Sequence, residues 1–175
     1  EWDNLTTGAW CYYDNDYPLE GKLYNWYAVM GIHDNDENTA NKEFAPEGWH
    51  VPSDAEWKTL EEYLIANGYN YDGTTTENKI AKAVASSTGW DSSPIGGVPG
   101  NNQSLNNSSG FNAFPEGLRY NYGLFVDEGY YAVFCSSTEN NAIYAWCRSL
   151  GNNSSYLYRY QDNKQGGFSV RFVRD

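Results

Sequence analysis

The sequence predicts an α+β domain in which two to three helices flank small antiparallel sheets, with long ordered loops between them. Gly, Asn, Ser and Asp are frequent, and the 16 Tyr and 7 Trp residues that accompany them suit short strands rather than a helical bundle. The segment after Ser53 has the pattern of a capped helix, and the segment 168–174 alternates like a half-buried strand. With 175 residues and no visible linker or repeat, a single domain over 1–175 is expected.

The first predicted elements are a strand and a helix. Residues 8–18 place aromatic side chains before Asp, Asn and Pro, which indicates a strand that runs into a turn. A helix follows, because four apolar residues recur at i, i+3, i+4 and i+7, namely Leu23, Trp26, Tyr27 and Met30. Gly31 is expected to end this helix.

The second helix is the most specific local prediction. After a polar, mostly acidic loop at 33–43, the segment 46–52 indicates a short buried strand between prolines. Ser53 and Glu56 then have the spacing of a capping box, in which each side chain accepts a hydrogen bond from the other residue's backbone N–H. Gly68 is expected to end the helix, and its apolar stripe consists of Trp57, Leu60 and Leu64.

The remaining elements are a short helix, a long loop and three strands. A helix is predicted over 78–86, with an inward face of Ile80, Ala81, Val84 and Ala85. Residues 88–110 are rich in Gly, Ser, Asn and Pro and are either mobile or a loop folded on itself. Strands are predicted around Ala132 and Phe134, over 143–150, and over 168–174. In the last of these, the alternation of apolar residues predicts that Phe168, Val170 and Phe172 face inward.

The charge excludes two classes of partner. At a net charge of −12, the chain lacks the clustered Lys and Arg with which proteins bind nucleic acid or an anionic membrane surface. No apolar run approaches the roughly 18 residues of a membrane span. We expect a signal sequence upstream of Glu1.

Neither catalysis nor a metal site is indicated by the residues. The imidazoles are His33 and His50, and no nucleophile–base pair accompanies them in the sequence. The three cysteines are far apart in the sequence. One disulfide bridge is possible, and the sequence does not specify which two cysteines form it. No cofactor is expected. A structural Ca²⁺ is a less favoured alternative, because one acidic loop offers oxygen ligands but departs from the EF-hand spacing. That loop contains Asp34, Asp36, Glu37 and Asn38.

Five segments in fixed order carry a resemblance to a known family. They are GKLYNWYAV at 21–29, PEGWHVPSDAEW at 46–57, SGFNA at 109–113, SSTE at 136–139 and GFSVR at 167–171. Together they resemble the Fibrobacter succinogenes major paralogous domain. That resemblance implies a C-type-lectin-like fold of the variety shared with formylglycine-generating enzyme. It also implies a secreted or lipid-anchored bacterial surface protein.

The chain departs from this family at its cysteines. Members often carry Cys where this chain has Ala45 and Phe172, and the joint loss is expected if those two pair in relatives. Cys135 replaces a usual Trp, and Cys147 an aromatic or polar residue. Formylglycine-generating enzyme uses two neighbouring cysteines. Here eleven residues separate Cys135 from Cys147, so a similar oxidase is the least favoured alternative.

The segment 130–162 is similar to the variable region of C-type-lectin-like proteins that diversity-generating retroelements mutate. Such regions favour Asn, Tyr, Ser, Asp, Cys, Phe and Ile at the variable positions. The resemblance therefore implies a variable ligand-binding set made up of Tyr130, Tyr131, Cys135, Asn140, Asn141, Ile143, Tyr144, Cys147, Asn152, Asn153, Tyr156, Tyr158 and Tyr160. Strand alternation predicts that neighbouring members do not all share one face.

The sequence thus predicts a non-catalytic binding module that contacts a protein or carbohydrate on a cell surface. An alternative is a structural component of a surface lipoprotein or pilus tip. The oligomeric state stays open.

Overall fold

A computed structural model of the chain describes residues 2–15 and 21–175. The described part is a mixed α/β structure that is mostly β, with three α-helices and nine strands. In chain order the elements are β1 (Trp10–Cys11), β2 (Leu23–Tyr24), α1 (Trp26–Val29), β3 (Trp49–His50), α2 (Asp54–Ala66), α3 (Ala81–Val84), β4 (Glu116–Arg119), β5 (Phe125–Glu128), β6 (Tyr131–Glu139), β7 (Tyr144–Gly151), β8 (Tyr158–Asn163) and β9 (Val173–Arg174). Part of the strand and turn predicted over 8–18 lies outside the described residues.

A five-stranded sheet with the order β5-β4-β6-β7-β8 organises the fold. Its antiparallel β6–β7–β8 ladder sets Cys135 opposite Cys147, and Cys147 opposite Tyr160. Strands β4 and β6 run parallel and pair at Gly117 and Ala132. Two small antiparallel sheets, β1–β2 and β3–β9, complete the described strands.

The sheet is covered on both faces. Ala132, Phe134 and Leu150 belong to a buried cluster with residues of α2 and α3. Val133 and Cys147 belong to a second cluster with Trp26 of α1. Since successive strand residues point to opposite faces, these two clusters lie on opposite sides of β6 and β7.

The capped helix is confirmed. Helix α2 begins after Ser53, whose hydroxyl accepts from the Glu56 N–H while the Glu56 carboxylate accepts from the Ser53 N–H. Gly68, with a φ of +78°, follows its last turn. Trp57 and Leu64 are buried and Leu60 packs against the same cluster, so the predicted stripe faces the core.

The predicted helix from Leu23 is wrong at its start. Leu23 and Tyr24 pair with β1, and the helix is the single turn Trp26–Val29. Asn25 causes the change, because its extended backbone ends β2 and its side chain accepts from the Ala28 N–H as the N-cap. Its amide also donates to the Thr7 carbonyl, which ties the turn to the first segment.

The prediction for the last strand, over 168–174, is also wrong about which side chains face inward. Phe168 is buried and Ser169 pairs with Phe134, but Phe172 is 38% exposed and Val170 only partly buried. The chain changes partner after Ser169 and next pairs with β3 at Val173 and Arg174, so one alternation does not run through the whole segment.

Two further predictions are corrected in extent. The helix predicted over 78–86 is the one turn Ala81–Val84, although its four apolar residues are all buried as expected. The strand predicted over 46–52 is only Trp49–His50, and Trp49 is 45% exposed.

The loop 88–110 is folded on itself. Trp90 is buried in the α2 cluster, and the Lys82 ammonium donates to the backbone carbonyls of Val98, Asn101 and Asn102. The same ammonium reaches the Asn106 side-chain oxygen at 2.7 Å. A cation enclosed by loop oxygens therefore organises this segment.

Candidate ligand-binding surface

The predicted ligand-binding residues fall on β6, β7, β8 and their connections. The exposed members are Tyr130, Tyr131, Asn141, Ile143, Tyr144, Asn153, Tyr156 and Tyr158. Asn140 and Tyr160 are partly buried. The sheet divides the exposed members between its two ends, because residues 144 and 151 of β7 stand about 23 Å apart at ~3.3 Å per residue.

Three of the predicted residues have buried side chains. Cys135 and Cys147 are 1% and 0% exposed and pack with Trp26 and Phe168 in the second cluster. Asn152 is 5% exposed, and its amide donates to the Asp91 carbonyl in the folded loop. A ligand at the surface does not reach these three side chains.

Four tyrosines gather where β6 begins, β7 ends and β8 begins. We call Tyr130, Tyr131, Tyr156 and Tyr158 the tyrosine surface; they are between 36% and 48% exposed. The Tyr156 and Tyr158 ring centroids are 5.7 Å apart with the planes tilted by 38°. Apolar ring faces and hydroxyls are thus presented together.

The backbone beneath the tyrosine surface explains its shape. The Tyr131 ring lies against Gly151, where an added Cβ would stand 2.9 Å from the Tyr131 Cε1 atom. The Ser154 hydroxyl donates to the Tyr158 oxygen over 3.1 Å. Gly151 therefore makes room for one ring, and a turn residue holds another.

The opposite end of the sheet carries a smaller polar group at the β6–β7 turn. The Asn141 side-chain oxygen accepts from the backbone N–H groups of Ile143 and Tyr144, at 2.9 and 3.0 Å. The Asn140 amide donates to the Gln161 side chain on β8. Asn140 and Asn141 therefore use their polar atoms to shape this turn.

Tyr160 points into the protein. It pairs with Cys147, packs against the second cluster, and donates its hydroxyl to Asp162 over 3.4 Å. Burial raises the pKa of Tyr160 far above its ordinary value and also raises the pKa of the Asp162 carboxyl. Tyr160 is therefore a structural residue more than a contact residue.

The two buried cysteines face each other across β6 and β7. Their sulfur atoms are 4.0 Å apart and both thiols are free. The hydrogen bond that Cys147 donates to Cys135, together with burial, raises the pKa of the Cys147 thiol. The Cys147 thiol is therefore neutral at neutral pH, and neither buried sulfur atom is exposed as a nucleophile.

An ion-pair network, missed from the sequence, fastens the sheet to α2. Arg148 is 1% exposed and contacts Asp54 at 2.8 Å and also Glu61. Arg159 makes a bidentate contact with Asp54 and lies 3.3 Å from the Trp146 ring centroid. Alternation along β7 puts Trp146 and Arg148 on one face, which was the available signal.

The histidines and the acidic loop make local contacts. His50 lies between Asp175 and Glu56, at 2.6 and 2.7 Å, and hydrogen bonds to these carboxylates raise the pKa of its imidazole. Asp34 and Asp36 accept hydrogen bonds from backbone N–H groups of their own loop. Over residues 2–15 and 21–175, no group of three or more His, Cys, Asp or Glu is arranged to hold a metal ion.

Comparisons with known proteins give one match. The family model described as the Fibrobacter succinogenes major domain matches residues 2–174, which confirms the resemblance carried by the five segments. No curated protein and no solved structure matches the chain. No helix among the described residues is long and apolar enough to cross a membrane.

Proposed function

From the premise that the chain belongs to the Fibrobacter succinogenes major domain family, we propose that it is a non-catalytic ligand-binding module. The ligand contacts the tyrosine surface, and the proposed setting is the bacterial cell surface or its exterior. A C-type-lectin-like fold is part of the same proposal, and the mostly β structure with few helices is compatible with it.

The observation that carries this proposal is the tyrosine surface itself. Four tyrosine side chains are left 36–48% exposed at one end of a sheet whose faces carry the two buried clusters. Exposed aromatic side chains grouped at one end of a sheet are typical of binding sites on soluble proteins. Tyr is well suited to this role, because it offers a large contact area and a hydroxyl while only two χ angles must be fixed.

The support beneath the surface favours binding without rearrangement. Tyr131 lies on β6 and Tyr158 lies on β8, and both strands pair with β7 over most of their length. Side chains on a rigid sheet lose less conformational freedom on binding than side chains on a mobile loop, so more of the contact energy remains as affinity.

The ligand is a protein or a glycan. Ring faces stack on the C–H faces of sugars and also on apolar protein groups, and the hydroxyls hydrogen-bond with either. We further propose that the exposed members of the predicted set are variable positions, while the buried Cys135, Cys147 and Asn152 are excluded from ligand contact. Diversification is tested in the genome: it requires an adenine-rich near-copy of this gene segment and a reverse-transcriptase gene nearby, and the absence of both would reject it.

The binding role is tested with a double variant, Tyr156→Ala with Tyr158→Ala. Ligands are first selected from a glycan array and from a displayed random-peptide library. Two truncated contact rings at about 1 kcal/mol each weaken binding by about 30-fold. The matched control is Tyr63→Ala with Tyr122→Ala, since those rings are 60% and 65% exposed elsewhere. Equal loss in both double variants, or in neither, rejects the site.

A further inference from the structure

A cleft distinct from the tyrosine surface opens where β4 and β6 separate. Beyond the pair Gly117–Ala132, residues 167–169 enter between these strands, with bridges from Gly167 to Arg119 and from Ser169 to Phe134. The resulting cavity has a volume of about 580 Å³ and is bordered by β2, β4, β6 and residues 169–172. Small-molecule sites occupy roughly 300–1,000 Å³, so the cleft has a suitable size.

A carboxylate and a guanidinium line this cleft in fixed positions. The Ser169 hydroxyl donates to Glu116 Oε2 over 2.8 Å. The other carboxylate oxygen, Oε1, packs against Gly21, because a Cβ added to Gly21 would lie only 2.5 Å from it. Arg171 donates through Nη2 to the carbonyls of Phe111 and Asn112, at 2.9 and 2.7 Å. Both charged groups are thus oriented without a ligand.

The guanidinium is not fully satisfied within the protein. Among the described residues, Nε of Arg171 is buried and has no hydrogen-bond partner. Burial lowers the pKa of Arg171, while the nearby Glu116 charge opposes that shift. An unmatched buried donor costs about 1–3 kcal/mol, so the protein holds Arg171 at this position at some cost in stability.

Aromatic side chains form the walls of the cleft. Tyr24, Phe114, Phe134 and Phe172 all border it, and Phe172 is 38% exposed. The rings of Tyr24, Phe44 and Phe172 follow one another at centroid distances of 5.0 and 5.7 Å, which holds the outer wall in place.

These groups select one ligand chemistry. An apolar ligand would desolvate Glu116 and Arg171 without replacing their hydrogen bonds. Lys22 also borders the cleft, with its ammonium 3.8 Å from the Trp10 ring centroid, and a phosphate that met these two cations would also meet the Glu116 charge. A neutral saccharide suits this lining, because its hydroxyls donate to a carboxylate and accept from a guanidinium while its C–H face covers an aromatic ring. We propose that this cleft binds a neutral sugar residue, independently of the tyrosine surface.

Saturation-transfer NMR and calorimetry with single neutral sugars test this site. The probes are glucose, galactose, mannose, xylose and N-acetylglucosamine, with alanine and inorganic phosphate as counter-probes. We expect at least one sugar to bind with a millimolar Kd. Glu116→Gln, which loses the charge, and Phe172→Ala, which loses a partly exposed wall, each weaken it about tenfold. Thermal midpoints near that of the wild type show that the variants are folded.

The control variant is Tyr158→Ala, which leaves the cleft unchanged. Retained sugar binding in Tyr158→Ala, combined with loss in the two cleft variants, supports the proposal. Silence of every sugar, binding of alanine or phosphate in preference, or sugar binding that survives both cleft variants overturns it. Loss in Tyr158→Ala alone assigns the sugar to the tyrosine surface and likewise overturns the cleft site, without touching the proposed function.

Discussion

Replacing Arg148 with Met should destabilise the protein far more than the same change at Arg159. Both guanidinium groups contact Asp54, but the Arg148 side chain is 1% exposed and that of Arg159 43%. Arg148 also holds Glu61, whose side chain is 15% exposed. Arg148→Met therefore leaves Glu61 as a nearly buried charge without this partner, whereas Asp54 keeps Arg159.

Breaking a buried pair costs about 3–5 kcal/mol, and because Asp54 keeps its contact with Arg159 we expect a loss of about 3 kcal/mol. For a chain of this size, that loss lowers the thermal midpoint by roughly 6–12 °C. An exposed pair contributes about 0–1 kcal/mol, so Arg159→Met should shift the midpoint by a few degrees at most.

Urea unfolding of the wild type and of both variants measures these differences, provided that the m-values agree. Adding Glu61→Gln to Arg148→Met removes the uncompensated charge and should restore part of the loss. Equal effects of Arg148→Met and Arg159→Met, or no recovery in the double variant, would refute the reasoning that burial sets the cost.

Two further predictions concern His50 and Lys82. Hydrogen bonds to Asp175 and Glu56 raise the pKa of His50, so its contribution to stability is fully present below about pH 6.5 and is lost as the pH rises through the folded-state value. His50→Gln should flatten that part of the stability profile in urea titrations, and an unchanged slope would contradict it. Lys82→Met removes the cation that the loop oxygens enclose, at a cost of about 1–2 kcal/mol. The amides of 98–106 should then exchange faster with deuterium than in a Lys58→Met control. Equal exchange in the two variants would contradict the role of Lys82 in holding this loop.

Local patterns in the sequence were sufficient where one neighbouring segment decides the structure. The capping box of α2 needs only residues 53 and 56, and it was predicted correctly. The strands at Phe134 and at 143–150 were also predicted, since buried β-strands alternate over many residues.

The errors arose where a distant partner decides the structure. The spacing of Leu23 and Trp26 fits a helix, but pairing with β1 and the Asn25 cap divide that segment between a strand and a turn. Phe172 is exposed because the chain exchanges β6 for β3 as its partner after Ser169. Neither change of partner leaves a local signal in the sequence.

The candidate surface was predicted by segment but not by side chain. Composition identified 130–160 as rich in Tyr and Asn, whereas the strand register decides which side chains face outward. That register buries Cys135 and Cys147 and separates the β6–β7 turn from the tyrosine surface. The cleft beside Glu116 joins four separate parts of the chain, so no single segment indicates it.

The most direct test of the central claim, that the tyrosine surface contacts the ligand, is the tyrosine ring NMR spectrum of ¹³C-labelled protein titrated with a selected glycan or peptide. We predict shifts concentrated in the ring signals of Tyr130, Tyr131, Tyr156 and Tyr158, with those of the exposed Tyr63 and Tyr122 unchanged. Shifts confined to Tyr63 or Tyr122, or saturating binding that moves none of the four, would contradict the account.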